Sequence, residues 1–201
     1  MIRSLCTALL IALLSWTTAS AQTLYRVSDG TEFFVDGTSN IHDWTATVGT
    51  VEGSFVISEA YAQKGKLKPG TAFSGGSLSI PVASLDGGKG ETMNNKILAA
   101  FDAPSHPNIR FELGEATVAK LPQGDQNFPV SVSGQLSMAG QTHPVTLSLT
   151  GSRQADGSYR FTGKHDILMT SFGMEPPTAL FGQIATGDKV VIRINLVLKG
   201  S

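Results

Sequence analysis

Apolar and polar residues alternate with a period of two along most of this chain. In 190–198, Val190, Ile192, Ile194, Leu196 and Leu198 share one face, and Val191, Arg193, Asn195 and Val197 share the other. In 143–153, Val145, Leu147 and Leu149 oppose Thr146, Ser148 and Thr150; in 130–138, Val130, Val132, Leu136 and Met138 oppose Ser131, Ser133, Gln135 and Ser137. One apolar and one wet face per segment is the mark of antiparallel strands. The pattern predicts strands near 24–28, 32–40, 44–57, 72–85, 108–119, 128–138, 143–153, 158–170 and 189–199. Asp156-Gly157 and Ala139-Gly140-Gln141 supply tight turns between neighbours. The period breaks once: Met93, Ile97, Leu98 and Phe101 fall at helical spacing, which predicts a short amphipathic helix over 91–103, stopped before Pro104. Two longer loops are expected, 58–70 and 173–188; the second carries Pro176-Pro177 and the pair Leu180-Phe181, placed to cover an opening.

These elements define an all-β, single-domain chain: an extended antiparallel barrel of about eight strands with one short helix. Closure is preferred to a two-sheet sandwich because it removes the strand edges and can enclose one ligand. One feature of the apolar face is unusual. "VEGSF" (51–55), "VSGQL" (132–136), "LTGSR" (149–153) and "FTGKH" (161–165) each place a glycine two residues after an apolar one, so Val51, Gly53 and Phe55 share a face, as do Val132, Gly134 and Leu136. Glycine weakens a strand and packs nothing. Inside a small barrel it serves either strand curvature or the survival of an elongated apolar cavity.

Composition narrows the setting. Residues 1–21 hold Arg3, an apolar run from Leu5 to Leu14 and small residues at Ala19 and Ala21, which reads as a secretory signal cleaved before Gln22, leaving a domain over 22–201. The apolar run is too short to span a bilayer. The single cysteine, Cys6, falls inside that leader and too early for a lipoprotein site, so the mature chain is expected to have no disulfide or thiol chemistry, in the periplasm or outside the cell. Fifteen Lys plus Arg against 16 Asp plus Glu give a formal charge of −1, with no basic face for nucleic acid. The nearest basic cluster, Lys64 to Lys68, reads as a solvated loop. A membrane-spanning barrel would need aromatic girdles, and two Trp and three Tyr do not make them, so stable membrane insertion is not expected.

Catalytic and metal chemistry find little support. His42-Asp43 and His165-Asp166 are adjacent pairs, and neighbours in a strand point to opposite faces, so adjacency does not build a relay. The chain has no His-x-His, no histidine pair at helical metal spacing, no Gly-x-Ser-x-Gly elbow and no nucleotide-binding glycine motif. No catalytic or metal-ligating residue and no cofactor is therefore assigned.

Three stretches carry a family resemblance: "GTSNIHDWTATVGTVEGSF" (37–55), "MNNKILAAFDAPSHPNIRFE" (93–112) and "MTSFGM" (169–174). Through them the chain resembles the YceI-like, polyisoprenoid-binding proteins over nearly all of the mature region. The resemblance implies a lipocalin-like barrel, exported from the cell, that holds an isoprenoid or similar long-chain lipid, such as a quinone or polyprenyl lipid; it does not imply catalysis. The chain departs from the pattern at Ser171, where family members often carry an acidic residue. The ligand-contacting residues expected from strand face and motif are Trp44, Val51, Gly53, Phe55, Val132, Gly134, Leu136, Leu147, Leu149 and Phe161, with Phe172 and Phe181 closing the opening. Two other readings stay open: an enzyme acting on a lipid-like substrate with His42 or His165 as base, and a ligand-free barrel whose core is solid.

Overall fold

Alternation of face puts the apolar residues of each strand on one side, and closing the sheet on itself is what buries that side. The computed structural model describes residues 22–58, 70–118 and 127–201. The leader expected over 1–21 and the Lys64 to Lys68 loop lie outside the described residues. The elements are β1 (Gln22–Val27), β2 (Glu32–Ser39), β3 (Trp44–Val48), β4 (Glu52–Ser58), β5 (Gly70–Pro81), β6 (Leu85–Asp86), α1 (Glu91–Ala100), β7 (Asn108–Val118), β8 (Asn127–Met138), β9 (Gln141–Arg153), β10 (Tyr159–Leu168), β11 (Thr178–Ala179) and β12 (Ile184–Gly200). Eight of them close an antiparallel barrel in the order β1-β4-β5-β7-β8-β9-β10-β12 and back to β1.

The 17-residue β12 is long enough to serve two neighbours on one edge. Its end pairs with β1, through Val27 opposite Leu198, and its middle pairs with β2, from Glu32 opposite Asn195 to Ser39 opposite Thr186. Strands β1 and β2 are thus successive stretches of one barrel position, and β3 and β4 repeat the arrangement. The single strand expected over 44–57 is broken: β3 pairs with β2 and β6, whereas β4 pairs with β1 and β5. The break falls at Gly49–Val51, where the Gly49 N–H leaves the ladder and donates to the Ser84 carbonyl at 2.8 Å. A Cβ on Gly49 would stand 2.9 Å from that oxygen, so the bend admits only glycine without a shift. Likewise the strand expected over 72–85 ends at Pro81, followed by a 3-10 turn (Val82–Ser84) and the short β6.

The outward face of β9 is polar. Along β9, Thr142, Thr146, Ser148 and Thr150 are exposed, while Leu149 is buried and Val145 and Leu147 are half-buried on the inner side. Along this strand the polarity is the inverse of that in a membrane-spanning barrel, whose outward residues are apolar. No helix among the described residues is long and apolar enough to cross a membrane. The two ends are closed differently. At one, Phe161 is the hub of an aromatic cluster, with ring centroids 5.6 Å from Phe73 and 6.4 Å from both Phe128 and Tyr159. Each such pair adds about 0.5–1.5 kcal/mol beyond area burial. At the other end α1 borders the cavity, with Phe101 just past its last residue buried in a second cluster that includes Val82, Leu85, Met138, Ile167 and Val190, against which Ile97, Leu98 and Ala100 pack. The helix stops at Ala100, and Ala103 donates back to the Leu98 carbonyl before Pro104.

The seam between β1 and β2 is patched by a side chain. Val197 of β12 has no strand facing it there; its N–H donates to Thr31 Oγ1 at 3.0 Å, and its carbonyl accepts from the Ser28 N–H at 3.0 Å. Replacing Thr31 by Val keeps the shape and orphans the Val197 N–H, which should lower the free energy of unfolding by about 1–3 kcal/mol. Urea denaturation checks this, and an unchanged midpoint would show that water replaces the hydroxyl.

Candidate ligand cavity

Inside the barrel lies a cavity of about 240 Å³. It runs lengthwise, since along β8 its wall extends from Val130 to Met138, or about 26 Å at ~3.3 Å per residue. Its side chains are Val, Leu, Ile, Phe, Met and Ala almost throughout, and among the described residues no Asp, Glu, Lys or Arg lines it.

Of the residues expected from sequence to contact a ligand, Trp44, Phe55, Val132, Leu136, Leu147, Leu149 and Phe161 line this cavity. The others do not. Val51 sits in the bend before β4, half-buried against the aromatic end of the core. Phe172 is buried beneath the covered end, edge-on to His143 at 4.8 Å, outside the cavity wall. Phe181 is 107% exposed: Leu180, Phe181 and Gly182 all take left-handed backbone (φ +49, +54 and +85), which turns the loop tip outward instead of over an opening. Three hydrogen bonds hold this loop to Asn40, whose side chain donates to the Gln183 carbonyl at 2.7 Å and accepts from the Ala185 N–H at 3.0 Å, while its own N–H donates to the Ala185 carbonyl at 3.1 Å.

Gly53 and Gly134 leave no open space above them. The atom a Cβ would add at Gly53 meets the Ser77 carbonyl oxygen at 2.2 Å and the Leu78 side chain at 2.8 Å; at Gly134 it meets the Glu112 carbonyl oxygen at 2.3 Å and the Phe111 ring at 2.5 Å. The same relation recurs: Trp44 lies on Gly37, Phe55 on Gly76, Phe128 on Gly151 and Leu149 on Gly163. In each of these four, as for Leu78 and Gly53, the covering side chain belongs to the residue directly opposite in the register. Phe111 reaches Gly134 diagonally, being paired with Leu136. The glycines are therefore floors on which a neighbouring strand's large side chain lies flat against the wall, a cross-strand pairing known to support bent sheets. Phe128 apart, the cavity wall at these points is made by the side chains that cover the glycines. Gly134→Ala should accordingly cost about 1–3 kcal/mol of stability through overpacking. A variant with an unchanged thermal midpoint would mean that both the β7 backbone at Glu112 and the Phe111 ring give way at little cost.

Several lining residues escaped the motif reading, among them Phe33, Phe73, Phe101, Phe111, Met169 and Ile192. Alternation in "EFFVDG" and "FELGEA" carried the signal for Phe33 and Phe111, whereas Phe73 follows a register shift that breaks the period.

The histidines divide. His42 is exposed and its Nδ1 lies 2.8 Å from the Asp43 carbonyl, far from any role on the inner wall. His165 follows Phe161 and Gly163 on the inner face of β10 and lines the cavity. Burial pushes its imidazole below the ordinary value, against a weaker opposite pull from Asp166. Asp166 itself points outward and pairs with Lys189. Among the described residues no three His, Cys, Asp or Glu come together as metal ligands would. The depressed imidazole gives a pH dependence. The unfolded chain takes up this proton near pH ~6.5 and the folded chain only at lower pH. The stability it supports is full above that value and lost as pH falls through the folded one. Chemical denaturation from pH 8 downward should show a steeper acid loss in the native protein than in His165→Leu; parallel curves would place the ring in water.

An eight-stranded antiparallel barrel around an apolar cavity defines a lipocalin-like binding scaffold. Within it, the chain belongs to the YceI-like family: the model of the YceI-like domain matches residues 20–198. Among solved structures, a polyisoprenoid binding domain from Saccharophagus degradans implicated in plant cell wall breakdown is 15% identical, with a TM-score of 0.64 over 89% of this chain and 98% of that one. BcnA of Burkholderia cenocepacia is 21% identical, with a TM-score of 0.60 over 83% of this chain and 95% of that one. The YceI protein of Campylobacter jejuni is 18% identical, with a TM-score of 0.52 over 78% and 84%. No curated protein sequence gives a significant match. At these identities the likenesses concern the fold.

Proposed function

We propose that this chain is an exported binding protein that holds one long-chain isoprenoid lipid, a quinone or polyprenyl lipid, inside the barrel for sequestration or transport. The observation that carries the reading is the cavity itself: elongated, apolar along its length and, among the described residues, without an Asp, Glu, Lys or Arg on its wall. Membership of the YceI-like family and the fold shared with a polyisoprenoid binding domain support it. The driving force is burial of the lipid tail, about 25 cal/mol for each Å² removed from water. An alkyl chain also supplies the contacts that an empty apolar void lacks. At about 240 Å³ the cavity is slightly smaller than the ~300–1,000 Å³ usual for ligand sites, and flexible Met169 and Met174 at the covered end are the side chains able to yield to a longer tail. Residues 1–21 act as the export signal and are removed. Binding rather than catalysis fits best, because among the described residues His165 has no hydrogen-bonded partner to orient it as a base.

Leu147 is half-buried and faces the cavity, so a larger ring there has somewhere to go. Leu147→Trp should fold with an unchanged circular dichroism spectrum and lose the lipid that the native protein carries from its own periplasm. Native mass spectrometry followed by organic extraction reads this directly. Native protein that carries no lipid, or a variant that carries as much as the native, contradicts the proposal.

A further inference from the structure

We infer that the ligand carries an uncharged oxygen head, a quinone carbonyl or an alcohol hydroxyl, and that His165 is the side chain that hydrogen-bonds it inside the barrel. This rests on the lipid-binding reading above and adds the head-group chemistry to it.

The polar atoms available to a ligand are few. Among the lining residues, side-chain hydrogen-bonding groups belong only to Trp44, His165 and Thr186. The Trp44 N–H is already used, donating to the Thr38 carbonyl at 3.0 Å. Thr186 holds the loop through its backbone N–H, which donates to the Pro177 carbonyl at 3.1 Å; its hydroxyl is six positions along β12 from Ile192, the residue opposite His165, and so belongs to the rim rather than to the row that His165 occupies. His165 makes no hydrogen bond among the described residues, although it stands in an apolar row between Phe161 and Ile167 and opposite Ile192. The half-buried ring borders the cavity, where water meets it when no ligand is bound, and a ligand that displaces that water without replacing its hydrogen bond loses affinity.

The charge of the site then limits what that partner is. Lys164 and Asp166 flank His165 but point outward and are exposed, and Asp166 pairs with Lys189. Arg193, on the strand opposite, is engaged on the outer face by Asp36, with Nη2 2.9 Å from Oδ1. Among the described residues lining the cavity, a phosphate or diphosphate drawn inside would find no cation to offset its desolvation. Burial lowers the basicity of His165, so at neutral pH the ring is uncharged and offers one N–H and one lone pair. The N–H suits a carbonyl and the lone pair suits a hydroxyl. The ring lies toward the α1 end, four residues from Phe161, which leaves about 13 Å of strand for the first part of the tail along Leu147 and Leu149.

The test uses probes that share a tail: farnesene, farnesol and farnesyl phosphate, with a farnesyl-substituted benzoquinone as the carbonyl arm. Binding to the delipidated mature protein is followed by the fluorescence of Trp44, itself a wall residue. The native protein should bind farnesol or the quinone about tenfold more tightly than farnesene, as one hydrogen bond supplies, and farnesyl phosphate no better than farnesene. His165→Leu should erase that preference, read as the ratio of farnesol or quinone to farnesene affinity within the variant, and His165→Gln, which keeps a donor and an acceptor, should restore part of it. The tighter of the two oxygen arms tells carbonyl from hydroxyl. Tightest binding of farnesyl phosphate, or an oxygen preference that survives in His165→Leu, overturns the inference while the lipid-binding reading stands. If farnesene too fails to bind, both fall.

Discussion

The barrel stays hollow because its largest inner side chains lie down rather than point inward. A phenylalanine or tryptophan aimed at the axis of a small eight-stranded barrel would fill it, since such interiors are just wide enough for side chains to meet. Here the residue opposite, or one diagonal step away, is repeatedly glycine, and the ring or leucine occupies the volume its side chain would have taken: Trp44 on Gly37, Phe55 on Gly76, Phe111 on Gly134. The arrangement answers two demands together. The strand gains a local bend at the glycine, and the apolar surface of the neighbour is buried against backbone instead of across the axis.

Everything else in the architecture protects that interior. Charge is kept outside, where Arg193 engages Asp36 and lies 4.4 Å over the Phe34 ring, and Thr45 Oγ1 donates to the same carboxylate at 2.7 Å. Arg193 holds the Asp36 carboxyl below its usual range, so this network across β12, β2 and β3 is ionised at neutral pH. The covered end is fastened by polar contacts on the rim: the Thr170 N–H and Oγ1 donate to Asp188 at 2.8 and 2.6 Å, and Lys96 of α1 donates to the Thr178 carbonyl at 3.2 Å. Such rim bonds are individually weak and replaceable by water. Their consequence is that α1 and the 169–178 segment are held at the cavity without contributing polar atoms to it.

The sequence made the barrel legible because inner and outer faces alternate with a fixed period, and the same period placed seven of the twelve expected contacts on the wall. What escaped depends on pairing rather than on period. A glycine's role is set by the residue across from it, and nothing local in "VSGQL" says that Phe111 will lie there. The division of 44–57 into two strands follows from Ser84, thirty-five positions beyond Gly49, capturing its N–H. Phe181 read as a cover because it is apolar and in a loop; three consecutive left-handed residues, of which only Gly182 announces itself, send it outward. His165 was visible in the alternation as an inner residue, and only the closed wall around it shows that it stands nearly alone there as a polar group.

The most direct test of a hollow barrel kept open by cross-strand glycine pairs is a crystal structure of the protein isolated from its own periplasm without delipidation. The account predicts continuous, elongated density along the inner wall between Val130 and Met138, passing Leu147, with the Phe111 ring still flat on Gly134. A structure in which Phe55, Phe111 and Phe161 converge on the axis and leave no such channel would contradict it.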